Sequence, residues 1–282
     1  MKSLISCFLA VSLLTLLCVL PVSANGIAGE AANPANIEEM KEHLVQRDYP
    51  MDYLDTLMDQ QVAALYERAE RENLYFYCLE QHRDDPGGVM PNGAIPTSDL
   101  DFDVMLSLVL TTKEGELYIT AVDVSIYYDW LEMPFVRNVD SIAVNWDADK
   151  FVYKEDSFVA NDYALPFLGS WFTYKTWHAP ANLVQGGLGY YAYIDYTDSV
   201  MGTPTVAAGL RGDANFMLLP KSSWSMLRAP GGDITTIQSQ YVHNKNIAGS
   251  LGFEVEGVNI SIRASALSDE IAAVGTINYT EA

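Results

Sequence analysis

Between residues 117 and 130 the side chains alternate strictly. Thr120, Val122, Val124, Ile126, Tyr128 and Trp130 share one parity, and Ile119, Ala121, Asp123, Ser125, Tyr127 and Asp129 share the other. A period of two sets one face on a core and turns the other to water, whereas a helix would scatter these apolar residues around its circumference. The same alternation runs upstream through Phe102, Val104, Leu106, Leu108 and Leu110. The polar Lys113-Glu114-Gly115-Glu116 between the two runs suits an antiparallel hairpin. A third run at 141–146 puts Ile142, Val144 and Trp146 on one side, and Asp147-Ala148-Asp149-Lys150 turns the chain into a fourth at 151–158. Consecutive strands with short connections and no helix between them imply an antiparallel sheet, of the long-stranded kind found in sandwiches and jelly rolls.

Further strands are predicted at 74–79, 188–197, 205–210, 215–219, 234–243, 251–255, 258–264 and 271–279. Three stretches read as irregular connections: 80–98, with its Pro-Gly-Gly and Pro-Asn-Gly, 161–187, and 221–232. Ahead of the strands the period changes to helical. Asn36 and Glu39 form a capping pair before the stripe Ile37, Met40, Leu44 and Val45, and Asp48-Tyr49-Pro50 ends that helix. A second apolar face follows through Leu54, Leu57, Met58, Val62, Leu65 and Ala69, interrupted at Asp59 as a new N-cap. The expected fold is therefore mainly β: an antiparallel β-sandwich or jelly-roll-like domain over 74–282, preceded by a short helical segment over 37–73 that packs on it.

The first 24 residues change the picture of where this domain works. Lys2 precedes a largely apolar run over 4–20 that falls short of the roughly 20 residues needed to span a bilayer. Val22-Ser23-Ala24 then supplies a small-x-small cleavage pattern, so the segment reads as a signal peptide cut before Asn25. A Gly, Ala and Asn-rich arm over 25–36 follows. No second run of spanning length occurs, and the mature chain is expected outside the cell without a transmembrane segment. It keeps one cysteine, Cys78, so no intramolecular disulfide forms. Disulfide-free export suits a bacterial secretion route. Cys78 alternates with Leu74 and Phe76 and is expected in the core. A net charge of −21 repels nucleic acid and anionic membrane and sets aside a nucleic-acid-binding role.

The candidate chemistry is sparse. Asp99, Asp101 and Asp103 recur at every second position, so their carboxylates share a strand face and offer hard oxygen ligands for Ca²⁺; a solvated row is the alternative. Tyr163, Trp171, Tyr174 and Trp177, with His178, make an aromatic stretch suited to stacking a sugar or docking a partner, or else to closing one end of the sandwich. Glu254 and Glu256 share a strand face as paired carboxylates of a jelly-roll glycosidase would, although a solvated face gives the same pattern. Arg211-Gly212-Asp213 reads as a turn. His43, His82, His178 and His243 show no ligand spacing, and His243 reads as a hydrogen-bonded structural histidine. The nucleophile elbow, the phosphate loop and the dinucleotide fingerprint are absent. The 235–240 stretch, polar on both faces, reads as an edge strand able to add to another sheet.

The pattern Trp-x₃-Pro-x₂-Arg-x₂-Asp-x-Ile-x-Val-x-Trp over 130–146, together with Tyr49-Pro50 and Tyr53-Leu54-Asp55, resembles secreted proteins of Gram-positive bacteria that carry no assigned function. The resemblance implies export and a helix-then-β order, and it carries over no functional residue. The sequence thus points to a non-catalytic extracellular binding or interaction role, toward a surface partner or a carbohydrate. A carbohydrate-active or other hydrolase and a secreted toxin or self-assembling protein are the alternatives.

Overall fold

The structure is a computed structural model that describes residues 34–81, 93–200, 203–222, 225–246, 251–263 and 268–282. The segment over 1–24 expected to be a signal peptide and most of the expected arm over 25–36 lie outside these residues, as does His82. Three helices come first: α1 (Pro34–Val45), α2 (Met51–Leu54) and α3 (Asp59–Glu72). Sixteen described strands follow. They are β1 (Leu74–Gln81), β2 (Leu100–Lys113), β3 (Glu116–Trp130), β4 (Val139–Trp146), β5 (Phe151–Tyr153), β6 (Val159–Leu165), β7 (Phe172–Trp177), β8 (Asn182–Val184), β9 (Gly187–Tyr193), β10 (Thr197–Val200), β11 (Thr203–Val206), β12 (Gly209–Pro220), β13 (Met226–Asn244), β14 (Phe253–Glu256), β15 (Asn259–Ile262) and β16 (Ser268–Glu281). None of the described helices is long and apolar enough to cross a membrane.

Twelve strands form one sheet that folds over on itself. Its front layer runs β1-β2-β3-β12-β6-β7, with β5 beside the end of β12. Its back layer runs β16-β13-β4-β9-β8. A single pair, Leu227 with Tyr118, joins β13 to β3 at the fold line. The layers meet through rings that face each other across the core: Trp146 on Phe216, Phe102 and Tyr128 on Tyr241, Phe158 on Tyr190. This is the expected antiparallel sandwich. The β2–β3 hairpin closes at Glu114 and Gly115, both at positive φ, as a two-residue turn matched to strand twist requires.

Parity explains the inner core: Phe102, Val104, Leu106, Val122, Val124, Ile126 and Tyr128 all face the back layer. The expectation for the other face is overturned. Met105, Ala121, Tyr127 and Met217 pack beneath α1 to α3 against Leu44, Leu54, Val62 and Leu65, so β3 is buried on both sides. A register shift at Val109/Leu110 also moves Ile119 to the inner core and leaves Thr120 bonding the Val109 carbonyl. On the outer face of the back layer the β14–β15 hairpin covers Ala143 and Val242. Asn145 bonds both the carbonyl and the N–H of Ile260, as a strand neighbour would.

Other expectations are corrected. The 161–187 stretch holds β6, β7 and β8, and β13 begins within the supposed loop at 221–232. The 235–240 stretch is no edge: β13 is paired by β16 on one side and by β4 on the other. Met58, not Asp59, caps α3, with Gln61 bonding back to its N–H.

Gly212 tests the packing of the inner layer. A methyl group there would meet the Tyr128 ring, and that ring cannot swing aside because its hydroxyl donates to Asp162 Oδ1 at 2.7 Å. Gly212→Ala is expected to cost about 2 kcal/mol or more in urea unfolding. Gly252→Ala, with open space around it, should stay within about 0.5 kcal/mol of wild type.

Candidate functional site

Strand register gathers a particular set of loops at one end of the sandwich. Leu100 pairs with Trp130, Gly209 with Leu165, Val139 with Tyr193 and Asn244 with Ser268, so all these termini lie at that end. The loops there are tied to one another. Arg137 donates to the carbonyls of Pro134 and Ala207, Ala208 N–H to Leu165 O, and Ile194 N–H to Asn138 O. Four large apolar side chains of two of these loops stand in solvent: Leu131 and Phe135 after β3, at 51% and 103% exposure, and Phe167 and Leu168 after β6, at 68% and 69%.

Four buried carboxylates in the sheet are held by hydrogen bonds. Between α3 and the front layer, Arg68 Nη2 donates to Asp123 Oδ2 at 3.2 Å and to Ser125 Oγ at 2.7 Å. Burial pulls the guanidinium down, but the Asp123 carboxylate and its neighbours outweigh this, and the net shift is upward. Beside it Asp213 accepts from Tyr163 OH at 2.7 Å, Asn161 and Gln61, while burial raises its carboxyl. Within the sandwich, Asp140 accepts from Tyr241 OH at 2.5 Å, from the Asn244 N–H at 2.9 Å and from His243 Nδ1 at 3.0 Å. Asp162 accepts from Tyr128 OH and, at 3.4 Å, from Trp177 Nε1, and burial pushes it up to about 7.

The aromatic stretch does not form one platform. Tyr163 is buried and spends its hydroxyl on Asp213, so it is corrected from a contact residue to a structural one. Trp171 is half-buried under Arg211, 5.0 Å from the guanidinium. Tyr174 packs on Tyr196, and exposed Trp177 stacks on Tyr193 at 5.2 Å, with Lys175 over the same Tyr193 ring. Together Tyr174 and Trp177 seal the edge where β7 meets the back layer. His178 is exposed just beyond β7.

The Asp row divides as well. Asp101 and Asp103 line a cleft of about 50 Å³ with Asp129, Tyr53 and Arg211, and Arg211 pairs with Asp129 at 2.7 Å. Burial raises both Asp101 and Asp129, opposed in each case by Arg211. Asp99 lies instead at a separate recess. Among the described residues no group of three His, Cys, Asp or Glu side chains converges as a metal would need, so the Ca²⁺ expectation has no supporting geometry. Glu254 pairs with Arg263 at 2.6 Å on the exposed hairpin, and Glu256 is exposed there. Arg211-Gly212-Asp213 is not a turn: it lies within β12, paired to Asp129, Tyr128 and Tyr127 of β3. Cys78 bonds the Thr276 carbonyl, and burial pushes its thiol up to about 11.

The buried acids escaped the sequence reading, yet their signal was parity. Asp140 shares its face with Ile142, Val144 and Trp146, and Asp162 sits between Ala160 and Ala164. A carboxylate on an apolar face must be paired or protonated.

No family model matches the chain, and no curated protein matches its sequence. Three solved structures are similar in part. A collagen-binding domain from a Staphylococcus aureus adhesin shares 9% identity over 54% of this chain and 87% of its own, with a TM-score of 0.27. ACE19, the collagen-binding subdomain of the Enterococcus faecalis surface protein ACE, shares 7% over 57% and 88%, with a TM-score of 0.25. AvmM, which catalyses macrocyclization in alchivemycin A biosynthesis, shares 10% over 61% and 96%, with a TM-score of 0.23. At this level of likeness none of them bears on what this chain does.

Asp162 generates a pH dependence. Its carboxyl titrates near pH 7 when folded and near about 3.9 when unfolded, so between those values the folded state holds the extra proton. Its contribution to stability is fully present below about pH 4 and is lost as pH rises through about 7. Urea midpoints of wild type and Asp162→Asn, compared from pH 4 to 8, should therefore diverge in favour of the variant as pH rises. A constant difference would contradict the assignment.

Proposed function

We propose that the chain is an exported bacterial protein with a non-catalytic extracellular binding role, and that the loop end of the sandwich is its contact surface. The observation that carries this reading is the set Leu131, Phe135, Phe167 and Leu168, large apolar side chains held in solvent by two hydrogen-bonded loops. Exposed apolar side chains gathered on loops above a rigid scaffold are the usual material of a recognition surface. Export is supported by the leader-like first 24 residues. The hydrolase alternative is less well supported. Glu254 is spent on Arg263, and the cleft at Asp101 and Asp129 has room for a few waters and not for a sugar ring.

The test is a panel of immobilised extracellular proteins and glycans, probed with wild type and with the combined Phe135→Ala, Phe167→Ala, Leu168→Ala variant. Wild type is expected to bind at least one member saturably. The variant should lose about tenfold or more in affinity, since several apolar contacts go at once, with its melting temperature unchanged. Equal binding by the variant, or turnover of aryl glycosides by wild type, would contradict the proposal.

A further inference from the structure

The loop end contains a recess of about 420 Å³ whose chemistry differs from that of the open surface. Trp130 and His243 form part of its lining, their rings edge to face at 5.1 Å. The indole N–H is spent on Tyr241 OH at 3.1 Å, so Trp130 offers the recess only its apolar surface. His243 is 4% exposed, and its Nδ1 is taken by Asp140. A carboxylate that also accepts from Tyr241 and the Asn244 N–H leaves Nδ1 as donor, so the neutral form of the ring carries its lone pair on Nε2. Among the described residues nothing donates to that nitrogen. Met133 and Phe135 extend the apolar wall. At the rim, Asp269 is neutralised by Lys245 at 2.8 Å. Asp99 accepts from the Ser98 hydroxyl, and neither it nor Glu132 has an ion-pair partner among the described residues.

We propose that this recess is a binding site for a small organic amine with an apolar body. Each part of the site selects one part of the ligand. The lone pair of the neutral His243 ring at Nε2 accepts from a donor, the two carboxylates without ion-pair partners favour a positive charge, and Trp130 with Phe135 favours an apolar, preferably aromatic, group that gains from the ring faces. An anion of the same shape meets two like charges and is rejected. This assignment builds on the loop end as the contact surface and adds the ligand class to it.

Phenethylamine is the probe, titrated into the whole protein at pH 8 and followed by the nitrogen chemical shifts of labelled histidine and by melting temperature. Saturable one-site binding that moves the His243 Nε2 resonance is expected. Glu132→Gln should weaken it by about threefold to fivefold and Phe135→Ala by about tenfold, both being exposed positions that leave the fold intact. 3-Phenylpropionate, the same body bearing a carboxylate, should not bind. Absence of saturable binding, equal binding of the carboxylate, or unchanged affinity in both variants would overturn the assignment. Phe167→Ala separates the two proposals: it should weaken capture on the partner panel and leave phenethylamine affinity unchanged.

Discussion

The ion pair between Arg68 and Asp123 is the contact on which the arrangement of layers rests. β3 is the middle of the front sheet, and its even-numbered side chains alone would make an ordinary half-buried strand. Its odd side chains include Asp123, Ser125 and Tyr127, groups that would face water if nothing lay above them. The helical segment covers them, and a buried carboxylate left alone would cost several kcal/mol. Arg68, reaching down from α3 to both Asp123 and Ser125, makes that cover tolerable. Tyr49 to Ser107 at 2.8 Å and Gln61 to Asp213 repeat the device on β2 and β12. Polar pairs of this kind add less to net stability than to register, because only one seating of the helices satisfies all of them.

The layering also explains why the candidate surface sits at one end. Helices cover the front face, the β14–β15 hairpin covers part of the back, and Tyr174 with Trp177 seals the β7 edge. The strand termini near Leu100, Trp130, Leu165 and Asn244 are left to carry loops that no described layer covers. Strands beneath them, the bond from the Asn244 N–H to Asp140 and the bonds from Arg137 to Ala207 and from Ala208 to Leu165 hold those loops in place. The apolar groups that remain exposed there lie on a scaffold that has already met its own hydrophobic requirement.

Most of the architecture was legible in the sequence because a period of two survives in single strands. Phe102 through Leu110 and Val122 through Trp130 show which residues meet in the core, and Glu114-Gly115 shows where the hairpin turns. What lies above a strand is not written in that strand. Asp123 and Ser125 look like solvent-facing positions until α3 is placed over them, and Thr235 to Gln240 look like an edge until β4 and β16 flank them. Tyr163 and Trp177 are alike in sequence, yet one ends on Asp213 and the other on Tyr193, because Tyr163 faces the helices while Trp177, paired with Ala160 and bonded to Asp162, lies on the opposite face of the sheet. Asp140 was readable as an acid on an apolar face, but its meaning depended on His243 and Tyr241, about a hundred residues away.

The double-mutant cycle on Arg68 and Asp123 tests the central claim most directly. Arg68→Met, Asp123→Asn and the double variant would be compared with wild type by urea unfolding. If the helical layer is seated through this pair, each single change strands a buried polar group and costs about 3 kcal/mol or more, while the double change costs much less than the sum. Additive effects, or single variants within about 0.5 kcal/mol of wild type, would show that the helices do not rest on this contact.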